Sequence, residues 1–223
     1  MNVAAKRAPA QRRGRPPREE ARALFRAAIL EAAEQVFAER GFHGARIHDI
    51  AERARIAVGT VYNHFAQKED VLVALLDERT EPMADLIAHR PEDGADFPSR
   101  LRATLTRVLR YVDERRAFFA FAFDYGLLGP ASSATRVVLG GRQPKHRERS
   151  RRAWEHMLRE GVDAGALRAT DPRELTAFFF GALRAHLSVV LAEPHRRHAT
   201  PEEGAARVAD LFLHGASVTE ARR

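Results

Sequence analysis

Between Ile47 and Lys68 the chain reads IHDIAERARIAVGTVYNHFAQK, and no other stretch restricts the fold as much. Ile47, Ile50, Ala51 and Ala54 recur at i, i+3, i+4 and i+7, the spacing of one helical face. After the tripeptide Arg55-Ile56-Ala57, Val61 and Phe65 stand one turn apart on a second short helix. Ile56 falls in the connection, placed to plug between the two. Two helices of about two turns, joined by three residues, fit a helix-turn-helix unit.

In such a unit the second helix lies in a DNA major groove while the first crosses the backbone. The residues off the core of the second helix are Gly59, Thr60, Tyr62, Asn63 and His64. An ordinary surface helix would carry Glu, Lys or Arg there. Hydroxyls, an amide and an imidazole are short donors that reach phosphates and base edges. Gly59 is a poor helix former, and close backbone approach to something large explains it. Lys68 follows, one of only three lysines (with Lys6 and Lys145) in a chain of 37 Lys plus Arg, so the choice of Lys points to a specific need. The alternative from spacing alone is a solvated two-helix corner in a protein that never touches DNA.

The segment GTVYNHFAQKEDVLVALL resembles the recognition helix and following helix of the TetR family of bacterial transcriptional regulators. The preceding ILEAAEQVFAERGFHGARIHDIAERA is similar to that family's first two helices, so the resemblance covers roughly residues 22 to 76. Gly59, Thr60, Tyr62, His64, Phe65, Lys68 and Glu69 fall on the pattern together. Three departures stand out: Arg55 replaces the usual turn glycine, Ala57 replaces a Ser or Thr cap, and Arg46 replaces a common Thr. A turn residue other than Gly at φ > 0 costs about 1 kcal/mol, and a missing N-cap a similar ~1 kcal/mol. The expected motif is therefore softer than its relatives. The resemblance implies an all-α protein: an N-terminal three-helix DNA-binding head with the helix-turn-helix, and a C-terminal helical bundle for ligand binding and dimerisation. It also implies that the last two helices form a four-helix dimer interface.

Composition narrows the classes. No cysteine is present, which excludes disulfides, thiolate metal sites and cysteine nucleophiles and suits a reducing cytosol. No apolar run approaches the ~20 residues that span a bilayer, so no membrane partner is expected, and the basic start lacks the apolar core of a signal peptide. A net charge of +7 suits a polyanionic partner. Residues 1 to 18 supply +6 of it through Lys6, Arg7, Arg12, Arg13, Arg15 and Arg18, with no acid. Rich in Pro and Gly and poor in apolar residues, this arm is expected to be disordered alone. Arg13-Gly14-Arg15-Pro16 resembles the core of an AT-hook, with Arg13 and Arg15 as minor-groove contacts. A solubilising tail with only non-specific phosphate attraction is the other reading.

The expected organisation is a basic arm over 1–18, a DNA-binding head over 19–67 and a C-terminal domain over 68–223. Helix one carries the stripe Phe25, Ile29, Ala32, Val36 and Phe37 and stops at Gly41. The pattern after Lys68 predicts a longer helix bent at Pro82, then a loop over Pro91 to Pro98. Residues 99 to 115 predict a helix with Leu101, Leu105, Val108, Leu109 and Val112 inside. In AFFAFAFDYGLL the aromatics alternate, but no partner strand is visible, so the segment is read as a short buried helix. Residues 129 to 143 read as partly irregular, and a basic helix bearing Trp154, Met157, Leu158 and Val162 follows, its arginines read as a solvated face, with contact to phosphate as the alternative. Asp171-Pro172 and Thr200-Pro201 each supply an N-cap and an N1 proline. The first of these two helices, LTAFFFGALRAHLSVVLA, is apolar nearly all round, and together they offer more apolar surface than one small bundle needs, so pairing with an identical copy is expected.

The functional expectation is a cytoplasmic, nucleoid-associated bacterial regulator, usually a repressor in the family, released from its operator by a small, largely apolar ligand. Thr60, Tyr62, His64 and Lys68, with Arg46, would meet phosphates of double-stranded DNA, while Val58, Gly59, Asn63 and His48 would lie nearest the bases. Two-fold symmetry calls for a near-palindromic operator. Phe119, Phe123, Trp154, Met157, Phe179 and His186 are candidate lining residues for the effector, with plain core as the alternative. An architectural DNA-binding dimer without effector is a second reading, and a small α-helical enzyme a remote third. The ten histidines show no HExxH or comparable spacing, and His195 and His198 form only a loop pair. Neither a catalytic residue, a metal site nor a cofactor is expected.

Overall fold

The computed structural model describes residues 18–128, 137–142, 144–192 and 199–215. The arm with Arg13 and Arg15, most of the segment read as irregular, and the His195–His198 pair lie outside them. Among the described residues every regular element is helical. Helix α1 spans Arg18–Gly44, α2 Ile47–Arg53, α3 Val58–Tyr62, α4 Lys68–Thr80, α5 Met83–Ile87, α6 Phe97–Glu114 and α7 Arg116–Asp124. Then follow α8 (His146–Asp163), α9 (Pro172–Ala192) and α10 (Pro201–His214).

Boundaries follow local chemistry. The Asp49 carboxylate accepts the Arg46 amide at 2.9 Å, and Asp70 accepts that of Gln67 at 3.2 Å, so an acid at N3 closes the start of both α2 and α4. Thr200 and Glu203 form the expected capping box on α10, and Asp171 accepts the Arg173 amide at 2.7 Å. Pro82 divides the predicted bent helix into α4 and α5. The AFFAFAF segment is helical as expected, with Phe118, Phe119 and Phe121 buried. On α8, Arg149, Arg151 and Arg152 are exposed and paired, Arg151 and Arg152 holding Glu148, whose carboxyl is lowered to about 2 by those hydrogen bonds.

Two cores result, and the first extends past residue 67 into α4 and α7. The first joins Ile29, Val36 and Phe37 of α1, Ile50 of α2, Val61 of α3 and Leu72 and Leu75 of α4 to Phe118, Phe119 and Phe121 of α7. Phe37 stacks on Phe121 with ring centroids 5.6 Å apart. The second core joins Ile87 and Phe97 to Leu101 and Leu105 of α6, Trp154 and Met157 of α8, Phe179 and Leu183 of α9, and Val208 of α10. Gly161 lets α8 approach Phe97, since a Cβ there would meet the Phe97 ring at 2.7 Å and Leu167 at 2.8 Å.

Polar ties hold the connections. In the predicted loop, Asp93 is buried and Arg107 of α6 grips both its oxygens while donating also to the Leu86 carbonyl and the Thr104 hydroxyl. Burial pushes the Asp93 carboxyl up, but hydrogen bonds from Arg107 and the Arg90 amide outweigh it and hold the group below its ordinary value. Arg142 reaches Asp70 at 2.5 Å, and Arg149 reaches Asp85 at 2.5 Å, strapping the segment before α8 and the start of α8 onto α4 and α5.

Helix α9 corrects one expectation. Its 21 residues, with a window of mean hydropathy 1.6, are long and apolar enough to cross a bilayer by length and composition alone. Counting uninterrupted runs missed it because Arg184 and His186 interrupt the sequence. Only 22% of that window is buried. Phe178 is 79% exposed and Val189 63% exposed, in line with the half-buried Ala182 and the exposed Ala185 on one face. Leu211 of α10 is also exposed.

Candidate nucleic-acid interface

The turn between α2 and α3 is a Schellman-type stop. The Ile56 amide donates to the Ala51 carbonyl at 3.0 Å, and Arg55 sits at φ 56°, the left-handed conformation expected for the position where glycine is usual. Ala57 begins α3 without a side-chain cap, also as expected. Ile56 packs against the first core.

On α3 the core side is Val61, fully buried, followed by Phe65. Gly59, Tyr62 and Asn63 are exposed, Tyr62 at 54%, and Val58, Thr60 and His64 are half-buried beside them. Of the phosphate and base candidates here, Gly59, Tyr62 and Asn63 face outward, while Val58 packs against the first core. His48 and Arg46 are exposed on and just before α2. At Gly59 a Cβ would meet nothing within 4 Å and the backbone has no positive φ. Among the described residues nothing requires glycine there. Burial lowers the His64 imidazole below its ordinary value, and the Arg22 and Arg26 charges lower it further.

Lys68 has a further role that local sequence did not reveal. Its ammonium donates to the Phe42 carbonyl at 2.6 Å and the Ala45 carbonyl at 2.9 Å, and lies 4.4 Å from the centroid of the Phe42 ring. Two of its three N–H groups therefore close the end of α1. The Phe42 amide in turn donates to the Tyr125 hydroxyl at 3.1 Å, just beyond the C-terminus of α7. Gly41, at φ 67°, makes room, for a Cβ would stand 2.6 Å from that oxygen. The Phe42 peptide is held from α4 on one side and from α7 on the other. Tyr125 is 83 positions from Phe42, a separation no local pattern spans.

The effector candidates are not brought together. Phe119 belongs to the first core, while Trp154, Met157 and Phe179 fill the second. Phe123 lies under the Arg184 guanidinium, 4.8 Å from its ring centroid. His186 lines a cavity of 20 Å³, with Leu109, Val112, Arg116, Val190 and Pro201 among its walls. That volume holds about one water molecule. Burial lowers the His186 imidazole, and Arg207 lowers it further. Among the described residues no three His, Asp or Glu side chains are placed to hold a metal ion.

Residues 29–75 match the family model of bacterial regulatory proteins, tetR family, a span that takes in α1 from Ile29, all of α2 and α3, and α4 as far as Leu75. Residues 29–75 are thus similar to the tetR-family domain. The transcriptional activator FasR of Mycolicibacterium smegmatis is 29% identical over 114 residues, 51% of this chain and 50% of its own. The fatty acid metabolism regulator protein of Bacillus subtilis is 40% identical over 65 residues, 29% of this chain and 32% of its own. The chain thus spans half or less of the length of these two TetR-type relatives. A crystal structure of FadR from Bacillus subtilis in complex with stearoyl-CoA has the same fold, with a TM-score of 0.71 at 20% identity over 86% of this chain and 99% of that one.

Proposed function

We propose that this protein is a dimeric, sequence-specific transcription regulator of the bacterial cytoplasm whose TetR-type heads read a near-palindromic operator. The observation that carries the reading is the outward surface of α3, where Thr60, Tyr62 and Asn63 flank a glycine that neither packing nor backbone conformation requires. A duplex pressed against that surface supplies the missing reason. Thr60, Tyr62 and His64 face phosphates, and Asn63, Val58 and His48 the bases. Lys68 holds the end of α1 in place and offers its remaining N–H to the backbone. The exposed stripe of Phe178, Ala185 and Val189 on α9, with Leu211 of α10, packs against the same stripe of a second copy.

The effector reading is a ligand with a long apolar part, a fatty acyl chain or its thioester, inserted among α6, α8, α9 and α10. The complex described for the Bacillus subtilis structure motivates that choice, and the apolar second core supports it. With only 20 Å³ free beside His186, an acyl chain enters only as these helices part. Movement then passes through α7 and Tyr125 to the end of α1. The ligand must bind the DNA-released state better than the operator-bound state, and a coupling of ~1–3 kcal/mol is typical.

The test is selection of bound duplexes from a random library, followed by titration of the winner with wild type and Tyr62→Phe. The reading expects a palindromic consensus, weaker binding by the variant with the dimer intact, and release by stearoyl-CoA. Sequence-blind, steeply salt-dependent binding that Tyr62→Phe leaves unchanged overturns the reading head. Specific binding with neither release nor a melting shift on adding stearoyl-CoA leaves a purely architectural dimer.

A further inference from the structure

Helix α1 begins well before the core it serves. Its first packed residues are Ile29 and Leu30, whereas residues 18–20 and 22–27 are all exposed. At 1.5 Å per residue, the stretch from Arg18 to Ile29 is roughly 16 Å long, and only Ala21 and Ala28 before Ile29 are half-buried. An exposed helical extension with no packing partner ordinarily shows a mixed polar surface. Here the line that continues the buried seam of Ile29, Ala33 and Val36 carries Arg18, Arg22 and Arg26, at i, i+4 and i+8.

The position of that line is set by two contacts. The Arg26 guanidinium is 6.0 Å from the centroid of the Phe65 ring and pairs with Glu78 at 3.1 Å. The charges of both Arg22 and Arg26 are felt by His64. The extension therefore runs beside the far end of the recognition segment, on the flank of the surface assigned to the operator. Arg18 and Arg22 enter no salt bridge among the described residues. Glu19 lies near this line, one turn from Arg22, and Glu20 lies on the opposite side of the helix. Because Arg26 is already neutralised, Arg18 and Arg22 are the charges available.

We propose that Arg18 and Arg22, on the overhanging start of α1, form a second contact with duplex DNA, to backbone phosphates outside the bases read by α3. The inference rests on the operator-binding reading above. Phosphate is the partner because a spaced pair of unneutralised guanidinium groups beside a DNA-reading helix matches the repeating charge of a nucleic-acid backbone and offers nothing to distinguish bases. The contact lengthens the footprint and raises affinity for every sequence equally.

The experiment compares the full chain with Arg18→Ala/Arg22→Ala, Arg18→Lys/Arg22→Lys and Tyr62→Phe on the selected operator carrying long flanks. Alanine is a strong helix former, so the double alanine variant keeps α1. If each arginine meets one phosphate, a dimer loses four contacts and the slope of log K against log salt becomes shallower by about 3.6. The footprint shortens at both ends, the ratio of operator to scrambled-site affinity is unchanged, and the lysine variant keeps the wild-type slope. An unchanged slope and footprint for the alanine variant, while Tyr62→Phe weakens binding, overturns this proposal and leaves the operator reading standing. Should Tyr62→Phe bind as wild type without sequence preference, the underlying reading fails and this proposal with it.

Discussion

Replacing Lys68 separates two roles that a DNA-binding assay alone confuses. In Lys68→Ala the Phe42 and Ala45 carbonyls lose an ammonium that reached them at 2.6 and 2.9 Å, and the Phe42 ring loses a cation 4.4 Å from its centroid. Hydrogen bonds to a charged group contribute ~1.5–3 kcal/mol each when well shielded, and a cation over an aromatic face ~0.5–1 kcal/mol. Lys68 is only half-buried, and water can replace part of what is lost. The expected destabilisation is therefore about 2–4 kcal/mol, below the plain sum of these contributions. For a chain of this size ~2–4 °C accompanies each kcal/mol, which places the fall in Tm at roughly 4–16 °C. Calorimetry of Lys68→Ala and Lys68→Met measures it, the methionine keeping the stem so that packing is not the variable. Operator affinity is measured at a temperature where both variants are folded. If the Tm of both stays within a degree of wild type while affinity falls, the carbonyl contacts contribute nothing and Lys68 acts on phosphate alone.

Three other perturbations test the body. Gly161→Ala drives a methyl into the Phe97 ring and Leu167 and is expected to cost about 1–3 kcal/mol in denaturant titration; an unchanged midpoint means α8 moves away freely. Asp93→Asn removes the charge that Arg107 holds, at a cost near the lower end of the ~3–5 kcal/mol for breaking a buried pair, since Arg107 keeps the Leu86 carbonyl and Thr104. Because the Asp93 carboxyl is held below its ordinary value in the fold, its contribution is complete above about pH 4 and disappears as pH falls through the lowered value. The gap between wild type and Asp93→Asn is thus wide at pH 7 and narrows in acid; a gap that widens in acid refutes the sign. Phe178→Arg places a charge in the exposed stripe of α9 and is expected to give monomers in analytical ultracentrifugation, with operator affinity falling accordingly. A dimer at micromolar concentration would move the interface elsewhere.

The helix-turn-helix was legible because its information is local. Ile50, Val61 and Phe65 announce their burial by spacing, and Arg55 announced a left-handed residue by standing where its relatives have glycine. The aromatic run around Phe121 was readable as helix because no second strand existed to pair with it. What escaped depends on distance along the chain. Tyr125 meets Phe42 across 83 positions, Lys68 reaches Phe42 across 26, and Asp93 meets Arg107 across 14 from a segment that composition marked only as loop. The effector candidates failed to converge for a related reason. An aromatic residue on a helix declares that it will be buried, but which of two adjacent cores receives it is decided by packing, and Phe119 and Phe179 went to different ones.

The sharing of one core by α1, α4 and α7 bears on how such a head can be moved between proteins. The stack of Phe37 on Phe121 and the Tyr125 bond to Phe42 mean that residues 18–67 lack part of their own interior. A chimera that grafts this reading head onto a foreign body inherits an uncovered Phe37 unless the recipient supplies an aromatic at the place of Phe121. Exchange of DNA specificity is therefore restricted to recipients whose α7 carries a matching face, or to replacing only the outward residues of α3 and leaving the joint intact.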